Sequence, residues 1–276
     1  MSHEVVRTRK GLAAMRSLDA GEVMHPGVGP LIEAEQLYVR QSCLGERIRD
    51  TQARDLVLFD IGMGAGSNAL AARAESERTQ VGAARLELVS FERDLGALEL
   101  ALKHPADFGL EGESGAAARA LLAHGRHETA RTLWRLHHRD IWEALASETC
   151  LADIVFWDPF SPKVNPDLWT VAAFAAVRRV ANTRCTLFTY SASTAVRSAL
   201  LLAGWAVGVG DSIGEKASTT AAAVEVTDLA RPLDRRWLDR LSRSDVPLPK
   251  DAPVDVVARI SALAQFHGDA GAIPTE

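Results

Sequence analysis

Asp158 ends an apolar run and is followed at once by Pro159 and Phe160, within DIVFWDPFSPKVNPDLW (153–169). A carboxylate held there can orient an alkylammonium group, accept its hydrogen bond and help remove its proton, directly or through water. Methyl transfer to an amine has that requirement, because the displacement is in line and the nitrogen lone pair must point at the methyl carbon. Pro159 stiffens the loop, and Phe160 can wall off the amine and its methyl group. The plain structural alternative makes Asp158 the cap of a Pro-rich turn.

A second constellation lies upstream, in VLFDIGMGAGSNAL (57–70). An apolar run feeds Gly62, Gly64 and Gly66, which let the backbone turn sharply and approach a ligand without Cβ interference. A dinucleotide fingerprint, G-x-G-x-x-G, would need its third glycine at position 67, where the chain has Ser67. The G-x-G-x-G spacing therefore favours S-adenosylmethionine (SAM), which has no pyrophosphate to seat, over NAD or FAD. Asp60, just before the first glycine, is placed to reach the methionyl ammonium directly or through water. Glu92, in SFERD, stands where a carboxylate can accept both ribose hydroxyls of a nucleoside, or else serves as a polar strand end bonded to its neighbours. Asp140, in HHRDIWEAL, is placed either to contact an adenine amino group or to cap a helix starting at Ile141, and both can hold at once.

Positioning these residues requires alternating strands and helices. Strands are expected over Leu56–Ile61, Leu86–Glu92, Thr132–His138, 154–157 and 185–190, with helices starting at Asn68, running through Leu95, Leu98, Ala101 and Leu102, and spanning 169–180 and 195–202. Two further strand-like segments, 205–210 and 221–226, form a terminal hairpin. The stretch 105–130 reads as an insertion with a short helix near 116–122. The pattern predicts an α/β, Rossmann-like fold with a mostly parallel sheet and an antiparallel last strand, so that the carboxylates above fall at the ligand-binding ends of the strands. Residues 1–50 read as an N-terminal extension, with Leu31, Ala34, Leu37 and Tyr38 at helical spacing. Residues 51–227 read as the catalytic domain and 228–276 as a tail whose charge run is a solvated face, with one amphipathic segment at 254–266.

Composition narrows the partners. Apolar residues make up 47% and charged residues 24%, the balance of an ordinary globular chain. No apolar run is long enough to span a membrane and the charged N-terminus lacks an apolar leader core, so a cytoplasmic protein is expected. Cys43, Cys150 and Cys185 lack metal spacing, and His137 and His138 have no partner at ligand spacing, so no metal is expected. A net charge of −5 means that a polyanion partner would need a local basic patch. Ser191 lacks nucleophile-elbow glycines, which argues against hydrolase chemistry.

The segments FDIGMGAGSNAL, LVSFERD, DPFSPKVNPDLW and TYSASTAVRSALLLAGW, with the preceding GEVMHPGVGPLIEAEQLYV, resemble the MnmC family of methyltransferase domains. The resemblance covers most of residues 20–226. It implies SAM-dependent N-methylation of 5-aminomethyl-(2-thio)uridine at the tRNA wobble position. It implies that Gly62, Gly64, Gly66, Asn68 and Glu92 bind cofactor and that Asp158 faces the amine. The chain departs from the family in having Arg139 before Asp140, in a last loop with the single Lys216 as its substrate-facing cation, and in leaving no room for an FAD-dependent domain, so no FAD is expected. A small amine as acceptor, or a non-catalytic binding module, are the other readings. Lys163, Arg178, Arg179, Arg197 and Lys216 favour tRNA if they gather at one pocket mouth.

Overall fold

The computed structural model describes residues 2–8, 10–24, 29–50, 54–79, 84–212 and 217–267. In the N-terminal extension, β1 (His3–Arg7), β2 (Ala13–Ser17) and β3 (Glu22–Val23) form a small antiparallel sheet. α1 (Pro30–Glu33) continues into a π-helical segment, Ala34–Arg40, and α2 (Leu44–Asp50) follows. The helix fits the apolar spacing of 31–38. The strands were not foreseen, because HEVVR is charged and the small residues of AAMRS carry little strand preference.

The core then alternates β4 (Leu56–Ile61), α3 (Ser67–Arg78), β5 (Leu86–Glu92), α4 (Gly96–Ala101), α5 (Pro105–Phe108), α6 (Gly112–His124), β6 (Arg126–Glu128), β7 (Thr132–His138) and α7 (Ile141–Ser147). It continues with β8 (Ala152–Trp157), α8 (Val171–Arg179), β9 (Ala181–Thr189), α9 (Thr194–Leu202), β10 (Ala206–Gly210) and β11 (Thr219–Ala223), and closes with α10 (Arg235–Leu241) and α11 (Val256–Ser261). The strands order as β10-β11-β9-β8-β4-β5-β7-β6 in one sheet. β4 pairs in parallel with both β5 and β8, and β5–β7 and β8–β9 are parallel too. β11 inserts antiparallel between β9 and β10, as expected of the last strand.

Two elements depart from the sequence reading in an instructive way. The stretch 105–130 is not a loose insertion: α6 is the crossover helix between β5 and β7, with its face of Gly115, Ala117, Ala118 and Leu121 buried. Ala-rich sequence favours helix intrinsically, and length is what lets it span a parallel connection. The last strand is Thr219–Ala223 rather than 221–226, because Thr220 is satisfied inside the sheet by donating to Ser191 O (2.6 Å).

Helices cover both faces. One face buries Trp157, Phe174, Leu200 and Trp205, the other Tyr38, Leu58, Leu98 and Trp134. The expected solvated tail contributes Trp237, Leu238, Leu241, Ile260 and Phe266 to the first of these cores, while the charges of α10 stay exposed. The strand order reverses at β4, whose neighbours are β5 on one side and β8 on the other. The carboxyl ends of these three strands therefore frame a crevice, the place where open parallel sheets hold ligands.

Candidate active site

A pocket of about 690 Å³ opens at that crevice, within the range of about 300–1,000 Å³ usual for small-molecule sites. Its floor is the turn after β4. Gly62 has φ +83°, and a Cβ there would lie 2.8 Å from both the Asp158 carbonyl oxygen and the Pro159 nitrogen, so the two loops approach as only glycine permits. Gly64 (φ +54°) also lines the pocket, against Met24 of the extension. Gly66 does not line it. Its left-handed backbone (φ +88°) starts α3, and it packs beside Leu98.

Glu92 lines the pocket and locks its floor. Oε2 accepts the Gly64 N–H (2.9 Å), and Oε1 accepts the N–H groups of Arg93 (2.7 Å) and Asp94 (2.9 Å). A carboxylate offers about four acceptor positions, so Oε2 retains capacity for a ligand hydroxyl. Asp140 caps α7 by accepting the Trp142 N–H (2.9 Å), one of the two roles read from the sequence, and it also stands in the pocket wall.

Asp158, Pro159 and Phe160 line the opposite wall. Asn68 Nδ2 donates to Asp158 Oδ2 (2.7 Å), and Asn68 is itself buried behind the wall. Asn68 thus holds Asp158 in place, a role beside the cofactor contact that the family pattern implied. The loop is pinned from outside as well. Tyr190 OH donates to Pro159 O (3.2 Å), Trp169 Nε1 to Phe160 O (2.8 Å), and the Ser161 N–H to Glu22 of β3 (3.2 Å).

Asp60, expected to reach the methionyl ammonium directly or through water, lies fully buried beneath the turn and does not itself line the pocket. Ser90 Oγ donates to its Oδ2 (2.8 Å) and in turn accepts from Trp134 Nε1 (3.0 Å). Oδ1 has no partner among the described residues. Burial pushes the Asp60 carboxyl up to about 7, against the Ser90 hydrogen bond and reinforced by the charges of Asp158 and Glu92. Tyr38 and Tyr190 are likewise raised well above the ordinary phenol range, first by burial and next by the Asp158 carboxylate.

The lining is strongly acidic: Asp19, Glu22, Glu33, Glu92, Asp94, Asp140, Asp158 and Asp167 stand against Arg93 and Arg139. Such a cavity favours cationic ligands and repels phosphates. Lys163, Arg178, Arg179 and Arg197 do not line it, and Lys216 falls at 213–216, outside the described residues. Sequence reasoning missed the extension's share of the wall, including Glu33 and Met24. It also missed Tyr190, which a search of strand ends could have found, since it directly follows β9. No group of His, Cys, Asp and Glu able to hold a metal occurs among the described residues.

The fit to SAM rests on this geometry. A glycine-walled floor gives close backbone approach, a strand-end carboxylate with spare acceptor capacity lines the pocket, and the lining charge complements a molecule carrying both a sulfonium and an ammonium. Residues 119–225 match a family described as S-adenosyl-L-methionine-dependent methyltransferase. The MnmC protein of Paraburkholderia xenovorans, named for tRNA 5-methylaminomethyl-2-thiouridine biosynthesis, is 30% identical over 209 residues, covering 71% of this chain and 31% of that protein. The Azoarcus sp. MnmC protein is 30% identical over 203 residues, 71% of this chain and 32% of that one. The chain therefore spans about a third of the length of these relatives. The crystal structure of MnmC2 from Aquifex aeolicus superposes with a TM-score of 0.70 at 22% identity, covering 94% of this chain and 84% of that one, which speaks to the fold. Fold, site and family match together define a SAM-dependent methyltransferase. Within that class the chain is similar to the methyltransferase part of the MnmC proteins.

Two outcomes are expected here. Glu92→Ala weakens SAM binding, measured by calorimetry, by roughly tenfold or more, since a hydrogen bond to a charged group contributes about 1.5–3 kcal/mol; unchanged affinity would remove Glu92 from the cofactor site. Asn68→Ala leaves SAM affinity intact but lowers turnover at saturating SAM about tenfold, by releasing Asp158. The opposite split, weaker SAM binding with normal turnover, would return Asn68 to the cofactor.

Proposed function

We propose that this chain methylates the exocyclic amine of 5-aminomethyl-(2-thio)uridine at the wobble position of tRNA, acting in the cytoplasm. The observation that carries the reading is Asp158: a strand-end carboxylate in the pocket wall, held by Asn68 and placed across the glycine turn from Glu92. The MnmC relatives supply the acceptor.

Glu92 and Gly64 hold the nucleoside end of the cofactor, and Asp140 takes the adenine edge. When bound, SAM supplies an electrophilic methyl group on a sulfonium. Asp158 accepts a hydrogen bond from the acceptor ammonium and turns its nitrogen toward that methyl group. It then helps take the proton that must leave before the lone pair can attack. Pro159, fixed through its carbonyl by Tyr190, and Phe160 limit water beside the amine. Glu33 and Glu22 add negative charge to the same wall, which favours an ammonium over a neutral or anionic acceptor.

The second reading is a free small amine as acceptor, favoured by the acidity of the pocket and by the position of Lys163, Arg178, Arg179 and Arg197 outside its wall. Radiolabelled methyl transfer from SAM separates the two. The expected result is label in bulk tRNA from a strain lacking this gene, with little in a panel of small amines; the reverse pattern replaces tRNA with a metabolite.

A further inference from the structure

The acidic pocket can take an aminomethyl group but not the phosphates around it, so a tRNA substrate needs a basic surface elsewhere on the chain. One exists on the outer edge of the sheet. After β11 the chain returns along β10 in antiparallel fashion: Val209 N–H donates to Arg231 O (2.8 Å) and Leu233 N–H to Val207 O (2.8 Å). α10 then buries Trp237, Leu238 and Leu241 and leaves Arg235, Arg236 and Arg240 exposed. Arg231, Arg236 and Arg240 line a shallow cleft over Val209, Pro232 and Trp237.

The charge in this cleft is poorly compensated. Among the described residues, Arg235, Arg236 and Arg240 have no carboxylate within ion-pair distance, although Arg231 pairs with Asp211 (2.6 Å). Asp234, the carboxylate in the cleft, is engaged as the cap of α10 through the Trp237 N–H (3.0 Å). Nearby is Arg197, 7% exposed, which among the described residues is bonded to neutral acceptors, Thr220 Oγ1 (3.0 Å) and Thr219 O (2.9 Å). Arg240 is close enough to add its positive field to that buried guanidinium. Exposed arginines without carboxylates, with the uncompensated charge of a buried arginine nearby, form a surface where an anion from outside would be stabilised.

Resting on the tRNA reading above, we propose that the cleft formed by Arg231, Arg236 and Arg240, with Arg235 at its rim, docks the sugar-phosphate backbone of the tRNA while the modified base enters the acidic pocket. Reach supports the pairing. β10 runs in the same direction as β9, so Arg231, beside Val209, lies toward the pocket end of the sheet. β10 is four strand spacings from β4, about 19 Å at roughly 4.8 Å each. At roughly 3.4 Å per stacked nucleotide this places the arginines five or six nucleotides from the base being methylated, along the same folded RNA. Positive and negative surfaces at this separation also set orientation, since a phosphate strand across the pocket is repelled.

The test is fluorescence anisotropy of labelled bulk tRNA with the full chain and with R236E/R240E, between low and physiological salt, with SAM calorimetry and thermal melts alongside. The variant is expected to bind tRNA roughly tenfold or more weakly at low salt, with a salt slope shallower by about 1–2 for two lost phosphate contacts, and to keep its SAM affinity and melt. R236Q/R240Q gives a smaller loss in the same direction and serves as the readout if charge reversal lowers the melt. Binding and methylation of tRNA by the parent, with unchanged affinity and slope in both variants, overturns the docking surface alone. A parent that neither binds nor methylates tRNA overturns the acceptor assignment together with it.

Discussion

Asp158→Asn lowers turnover by about 10²–10⁴ at saturating SAM and acceptor while leaving SAM affinity nearly unchanged, the usual range for a positioned acid–base group. The substitution keeps the size of the side chain but removes the charge that attracts the ammonium and the capacity to take its proton. Asn68 Nδ2 still finds a carbonyl oxygen to donate to, so the hydrogen bond behind the wall survives. Raising the pH partly rescues the variant, because more of the acceptor is then already a free amine. If Asp158 only shaped the turn between β8 and the Pro159 loop, the pattern would invert, with an earlier melt and normal turnover per folded molecule. Kinetics normalised to folded protein decide between them, and normal turnover in Asp158→Asn ends its catalytic role.

The second large effect is a pH dependence of stability written into Asp60. In the unfolded chain its carboxyl has the ordinary value of 3.8; in the fold, burial raises it to about 7. A raised folded value means that the native state binds the extra proton. Asp60 therefore contributes stability fully below about pH 4 and loses that contribution as pH rises through about 7. Between these limits the slope is about 1.4 kcal/mol per pH unit, on the order of 4 kcal/mol in all. Asp60→Asn keeps an acceptor for Ser90 and cannot ionise, so its stability curve, measured by urea titration across pH 4–8, lacks that descending component. Coincident curves for variant and parent would show that Asp60 does not titrate in this window. A cationic ligand above the turn draws the same group toward its ionised form, so the parent gains more stability from SAM at pH 7.5 than the variant does.

Much of the site was legible because strand ends and glycine turns are local signals. The run into Gly62, the carboxylates Glu92 and Asp158 and the helix cap Asp140 follow from spacing of a few residues, and β4, β5 and β7 fall at the expected positions. Strand alternation with helices also prescribes a parallel sheet, and hence the end of it that carries the chemistry. Tertiary structure decided what those residues face. Asn68 is two residues beyond the turn in sequence but reaches Asp158 across the switch from β4 to β8, a contact between positions 90 apart. Asp60 is in the same motif as Gly62 yet lies beneath the floor, because successive residues of a strand point to opposite faces. The extension supplies Glu22, Glu33 and Met24 to the wall through packing between segments whose own periodicity says nothing of a pocket. The arginines of α10 reach the edge of β10 for the same reason: burial of Trp237 and Leu238 draws a charged tail onto the sheet, and that is a long-range hydrophobic contact, which no window of neighbouring residues encodes.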